Sequence, residues 1–265
     1  MSTARRFSSL DGTVLGAEVT GNGPPLLLVH GAAGDRTRWS PVLPRLAERF
    51  TVYALDRRGR GLSGDAPGTY AFEREIEDVA AVIDGIGERI GVLGHSYGAL
   101  LALEAARVSG GIGRLVLYEP PVPAAGVAVA PLDVLERVEA LVASGERDAA
   151  VAVFMEHVAG VPAHQLAALR ALPAWQGRVA VAHTLAREAQ AANAYVFDTA
   201  AFGAVRVRTL LLKGSASPPS LSGGVEPVAR ALPGSAVAIL EGQGHVAMDT
   251  SPTLFSEEVL RFCTT

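Results

Sequence analysis

Val92-Leu93-Gly94-His95-Ser96-Tyr97-Gly98 is an apolar strand that runs into a serine held between glycines. Strong helix formers follow immediately in Ala99-Leu100-Leu101-Ala102-Leu103-Glu104-Ala105-Ala106. A strand that passes straight into a helix must reverse at a single residue. Gly94 and Gly98 remove the side chains that would collide there, so Ser96 can take a strained conformation with its hydroxyl presented outward. G-x-S-x-G in this strand–turn–helix setting is the pattern of a nucleophile elbow.

The chain alternates on either side of it. Residues 5–9 and Val14–Thr20, joined by a turn at Asp11-Gly12, predict an antiparallel hairpin closed by Gly21-Asn22-Gly23-Pro24-Pro25. Leu26-Leu27-Leu28-Val29 is an unbroken apolar run, as expected of a strand buried on both faces, and it delivers His30-Gly31-Ala32-Ala33-Gly34. A helix over 41–50 and a strand over 51–55 come next. Phe72, Ile76, Val79, Ile83 and Ile86 then recur at helical spacing before the elbow strand, 89–93. Downstream, a strand over 115–118 ends in Glu119-Pro120-Pro121. Strand signals then stop, and alanine-rich helices are predicted over 132–144, 146–158, 163–172 and 175–195. Strands resume at 209–213 and Ala236–Leu240, with helices over 225–232 and at the C-terminus. The expected fold class is α/β: a mostly parallel eight-stranded sheet with helices on both faces. Residues 1–121 and 206–265 would form its core domain, and 122–205 an inserted helical cap.

Composition narrows the partners. With 265 residues, 49% of them hydrophobic and 19% charged, the chain can bury one large core or a core plus a small subdomain. A net charge of -4 argues against nucleic acid or an anionic membrane as partner. No apolar run approaches about eighteen residues, and no apolar segment follows Arg5-Arg6, so a cytoplasmic protein, monomer or homodimer, is expected. The single cysteine, Cys263, rules out an internal disulfide and has no base or acid near it in sequence. Gly59-Arg60-Gly61-Leu62-Ser63-Gly64 matches a dinucleotide fingerprint after a strand, but Pro67-Gly68 forbids the helix such a site requires. No metal-ligand spacing occurs, so neither cofactor nor metal is expected.

Four motifs stand in order: His30-Gly31 after the third strand, Asp56-x-x-Gly59-x-Gly61-x-Ser63 after the fourth, Gly94-x-Ser96-x-Gly98 at the elbow, and Gly244-His245 before the last helix. Together they resemble the α/β-hydrolase superfamily. The resemblance implies that Ser96 is the nucleophile and His245 the base that activates it. It also implies that the backbone N–H groups of Ala32 and Tyr97 form the oxyanion hole. Asp56 would fix a turn, and the other histidines, His95 among them, would be structural or exposed.

The acid behind His245 departs from the common pattern. Relatives commonly carry an aspartate in the loop after the strand equivalent to 209–213, whereas here Ser217 occupies that place. Some members use a carboxylate at the end of the preceding strand, where this chain has Glu119. Glu119 is therefore the leading candidate. A Ser–His dyad oriented by water or Ser217, or another acid such as Asp198 or Asp249, stays open. His30, Trp39, Phe154, Met155 and Trp175 are candidate walls of the substrate pocket.

A serine at the elbow disfavours the epoxide-hydrolase and haloalkane-dehalogenase branches, whose alkyl-enzyme ester needs a carboxylate nucleophile. The expected activity is hydrolysis of a carboxylic ester or lactone of a small or medium hydrophobic molecule through an acyl-enzyme. A carbon–carbon bond hydrolase or lyase, a biosynthetic cyclase or thioesterase, and a non-catalytic small-molecule receptor are the alternatives.

Overall fold

A computed structural model describes residues 2–66, 70–123, 128–172 and 174–264, so the Pro67-Gly68 break lies outside the described residues. In chain order the strands are β1 (Thr3–Ser8), β2 (Val14–Thr20), β3 (Pro25–Val29), β4 (Thr51–Asp56), β5 (Ile90–His95), β6 (Ile112–Tyr118), β7 (Arg208–Gly214) and β8 (Ala236–Leu240). They form one sheet in the order β1-β2-β4-β3-β5-β6-β7-β8. The β1–β2 and β2–β4 pairs are antiparallel and the remaining pairs parallel. The expected fold class is the observed one.

Alternation along the strands explains the layers. Leu27 and Val29 of β3 pack into one core with helices α2 (Phe72–Ile86) and α3 (Tyr97–Val108). Leu26 and Leu28 pack on the other side with α1 (Leu43–Ala47) and the C-terminal helix (Pro252–Thr264). Side chains two apart share a face, so a fully apolar strand needs cover on both. At the edge the cover ends: Val237 and Ile239 of β8 are exposed.

Between β6 and β7 the chain is helical. It forms α4 (Leu132–Ala143), α5 (Arg147–His157), α6 (Ala163–Arg170), α7 (Ala174–Ala180), α8 (Leu185–Ala194) and α9 (Thr199–Phe202). The predicted helix over 175–195 is two helices with a 3-10 turn at Ala182–Thr184, where the Thr184 hydroxyl donates back to the Val181 carbonyl at 2.8 Å. These helices have a core of their own, with Leu135, Val138, Val151, Phe154, Trp175 and Leu185 at its centre.

A buried ionic cluster ties this helical block to the sheet. Arg57, just after β4, meets Glu75 of α2 at 2.8 Å and Glu188 of α8 at 2.7 Å, and Arg60 also bonds Glu188. All four are almost fully buried. Burial raises the Glu75 carboxyl above its ordinary range. Burial opposes ionisation of Glu188 as well, but Arg57 and Arg60 outweigh it and hold the group below its usual value. Asp56 organises the neighbouring loop, accepting from the amides of Arg36 at 2.8 Å and Leu62 at 2.7 Å. The glycine-rich stretch here closes as a turn on itself, Gly59 N–H to Gly64 carbonyl at 2.9 Å, and opens no helix. Cys263 is partly buried, and burial pushes its thiol up to about 12.

Two histidines, His30 and His95, are buried in the core, and burial is the main cause that depresses both pKa values well below 6.5. Their contribution to stability is therefore present above pH 6.5 and lost as pH falls from there toward the folded values, because the unfolded chain takes up protons that the native state does not. Chemical unfolding at pH 7.5 and pH 5 should show the loss, up to about 1.4 kcal/mol per pH unit for each histidine. A flat profile through that range would contradict neutral burial. Glu188→Ala leaves two buried guanidiniums short of a counter-charge and should cost about 3–5 kcal/mol in urea unfolding. A loss below about 1 kcal/mol would mean that the cluster is solvated.

Candidate active site

Parallel strands place their C-terminal ends along one edge, so the loops after β3, β5, β6 and β8 meet there. Ser96 follows β5 directly, the strand running two residues beyond its predicted end. Its backbone is at φ 51°, ψ −125°, a conformation that costs an L-residue about 1–3 kcal/mol. The surroundings hold it there: the Ser96 N–H donates to the Tyr118 carbonyl at 2.8 Å, and the Ser96 carbonyl accepts from Ala99 N–H at 2.7 Å. The two glycines are required by close approach. A Cβ on Gly94 would stand 2.5 Å from the Gly98 carbonyl, and one on Gly98 2.2 Å from that of Val29.

His245 Nδ1 lies 2.5 Å from Glu119 Oε2. Glu119 is fully buried, and its second oxygen accepts from the Gly214 N–H at 2.8 Å. The other candidate acids are occupied elsewhere. Asp198 caps α9 by accepting from the Ala200 N–H at 3.0 Å, and Asp249 pairs with Arg38 at 2.6 Å. The buried Ser217 hydroxyl has no hydrogen-bond partner among the described residues. Of the four, Glu119 is the group bonded to His245.

The loop carrying His245 is anchored from beneath. Tyr118 donates its hydroxyl to the Gly244 carbonyl and accepts from the Ala247 N–H at 3.1 Å. His95 Nε2 donates to the His245 carbonyl at 2.8 Å, and the two imidazoles lie 4.7 Å apart. His95, expected to be structural or exposed, is buried; it supports His245 and also lines the cavity. The available signal was the strand period. His95 and Tyr118 end adjacent strands in register, so their side chains emerge together beneath the same loop.

On the opposite side, the Gly31 carbonyl receives Arg57 Nη2 at 3.2 Å and lies 2.8 Å from His30 Nδ1. His30 Nε2 accepts from the Arg57 N–H at 3.3 Å, which places the ring proton on Nδ1, directed at Gly31. Because the peptide is planar and trans, fixing the Gly31 carbonyl also fixes the Ala32 N–H, on the opposite side of the same unit. A Cβ on Gly31 would come 2.9 Å from Ser96 Cβ, so this loop rests against the elbow.

Ser96, His245, Ala32 and Tyr97 line one cavity of about 110 Å³ with Phe154, Met155 and Val158 of the helical block. Three predicted wall residues do not reach it. His30 lies beneath the Gly31 loop, held by the bonds just described. Trp39 is fully buried in the core below the sheet. Trp175 is buried in the helical core, its indole N–H donating to Asp148 at 2.7 Å. In each case burial in a core outranks the aromatic character that suggested a binding surface. Arg38, Arg178 and Glu188, not singled out in the sequence, do line the cavity. Nothing local marks them, since they come from separate segments brought together by the fold. Among the described residues no cluster of three or more His, Cys, Asp or Glu could hold a metal ion, and no helix is long and apolar enough to cross a membrane.

The model of the alpha/beta hydrolase family matches residues 26–258. An alpha/beta hydrolase from Sphaerobacter thermophilus DSM 20745 is 39% identical, with a TM-score of 0.85 over 98% of this chain and 100% of that one. An esterase from Rhodococcus sp. ECU1013 is 26% identical, TM-score 0.78, over 99% and 98%. The 2-(acetamidomethylene)succinate hydrolase of Mesorhizobium japonicum is 27% identical over 91% of this chain and 88% of that protein. A family match that runs from β3 into the last helix takes in every strand end that contributes to the site, and the chain belongs to the alpha/beta hydrolase family.

Proposed function

We infer that the protein is a serine hydrolase that cleaves a carboxylic ester or lactone of a small or medium apolar molecule through an acyl-enzyme on Ser96. The observation that carries this reading is the bond between Glu119 and His245 in a loop sharing a cavity with the strained Ser96. With Nδ1 committed to Glu119, the imidazole has Nε2 free to take the Ser96 hydroxyl proton as the oxygen attacks the carbonyl. Negative charge then develops on the carbonyl oxygen, and the Ala32 and Tyr97 N–H groups are the donors for it. Collapse of the tetrahedral adduct breaks the bond to the alcohol, which leaves with the proton held on His245. Water repeats the sequence on the acyl-enzyme and releases the acid.

The similarity to an esterase supports ester chemistry, and the relative named for hydrolysis of 2-(acetamidomethylene)succinate shows that a related chain is assigned a hydrolytic reaction. In this reading the helical block is the cap that closes the cavity, since Phe154, Met155 and Val158 face the same space as Ser96.

A fluorophosphonate probe should label the protein and fail to label Ser96→Ala. No labelling of the native protein would favour a non-catalytic receptor. Glu119→Gln keeps the shape but not the charge, and turnover of p-nitrophenyl esters should fall by about 10³–10⁴ without loss of fold. Turnover within tenfold of the native protein would remove Glu119 from its role. Faster turnover of a β-diketone than of any ester would move the assignment to carbon–carbon bond cleavage.

A further inference from the structure

Two arginines stand where the cavity of Ser96 and His245 meets an outer cavity of about 540 Å³: Arg38 and Arg178 line both. The inner walls beside them, Val129, Phe154, Met155 and Val158, are apolar. Asp35 and Asp249 line the outer cavity and favour the Arg178 cation at a distance, but each has a bonded partner of its own. Asp249 pairs with Arg38 at 2.6 Å, and Asp35 accepts from the Thr37 N–H at 2.8 Å and hydroxyl at 2.5 Å. Glu188, in the inner lining, belongs to Arg57 and Arg60.

Arg178, half-buried, differs from the buried arginines described above. Its Nη1 donates to the Ala174 carbonyl, one turn back in its own helix, at 3.3 Å. No carboxylate among the described residues lies within 4.0 Å of its guanidinium nitrogens. Burial and the nearby charge of Arg38 work against its cation and outweigh the support of the more distant Asp249 and Asp35, so its pKa is lowered. A partly buried guanidinium beside a second one, facing apolar inner walls and bonded to no carboxylate, is only partly compensated, and an incoming anion would supply the rest. Its planar fork matches a carboxylate in two-pronged geometry.

We propose that Arg178, with Arg38 beside it, binds a carboxylate of the substrate, so that the molecule turned over is an apolar acyl compound bearing a free acid group. The proposal rests on the serine-hydrolase reading for the reaction but not for the binding. It adds a charged anchor to the small apolar substrate inferred from the cavity walls.

The test separates the two. Ser96→Ala protein is titrated calorimetrically with monomethyl glutarate, which carries a carboxylate, and with neutral dimethyl glutarate. The monoanion should bind at least about tenfold more tightly, and Arg178→Gln in the same background should abolish the preference. Arg178→Lys, which keeps the charge and loses the fork, should leave an intermediate preference. It serves as the second variant if melting curves show that the glutamine form is unfolded. Equal affinity for the two compounds, or a preference that survives loss of the guanidinium, overturns the proposal. Labelling of the native protein by the fluorophosphonate probe judges the hydrolase reading independently. A labelled protein without anion preference therefore refutes the carboxylate anchor alone.

Discussion

At Gly98, α3 approaches β3 so closely that any side chain would strike the carbonyls of Val29 and His30, at 2.2 and 2.4 Å. The site depends on this approach. It lets the helix begin directly behind the strand, which forces the positive φ at Ser96 and brings the serine out at the sheet edge. It also places the first turn of α3 beside Ser96. The Tyr97 amide there carries the partial positive charge of a helix N-terminus. A second close approach, of Gly31 to Ser96, seats the Gly31 loop on the elbow, so both candidate oxyanion donors are held against it.

Charge buried behind that contact stiffens it. Arg57 bonds the Gly31 carbonyl while held by Glu75 and Glu188, so the orientation of the Ala32 amide is linked to α2 and, through Glu188, to the helical block. Buried ion pairs of this kind contribute little net stability over a well-packed apolar core. Here the cluster spans three separate parts of the chain, and what it supplies is a defined position for the loop and for the helices above it. The Tyr97 hydroxyl joins the cluster through Tyr70, 2.5 Å away, and Tyr70 in turn bonds Glu75 at 2.7 Å. Tyr97 is thereby fixed by its side chain as well as by its helix.

The carboxylate facing His245 arrives from the neighbouring strand. Glu119 directly follows β6 with φ at 47°, and the longer glutamate side chain spans from this position to the histidine loop. Its second oxygen is satisfied by the Gly214 amide, the last residue of β7. A buried carboxylate needs both of its oxygens engaged, and the parallel order β6-β7-β8 brings one partner from the end of β7 and the other from the loop after β8.

Local sequence determined the alternation of strands and helices, the helical interruption after Glu119, and the elbow itself. Those features are written in periods of two and 3.6 residues and in glycines that only a sharp turn requires. The motifs also located Ser96, the Ala32 and Tyr97 amides and the loop of His245, because each sits beside a strand end. Tertiary structure alone decided which of Glu119, Ser217, Asp198 and Asp249 meets His245, and that His95 lies beneath it. It also decided that Trp39, Trp175 and His30 are interior while Arg38 and Arg178 face the cavity. These outcomes depend on distances between residues 126, 140 or 150 positions apart in the chain, set by strand order and by competition for buried space; a local pattern can nominate Glu119 or aim His95 but does not fix what either meets.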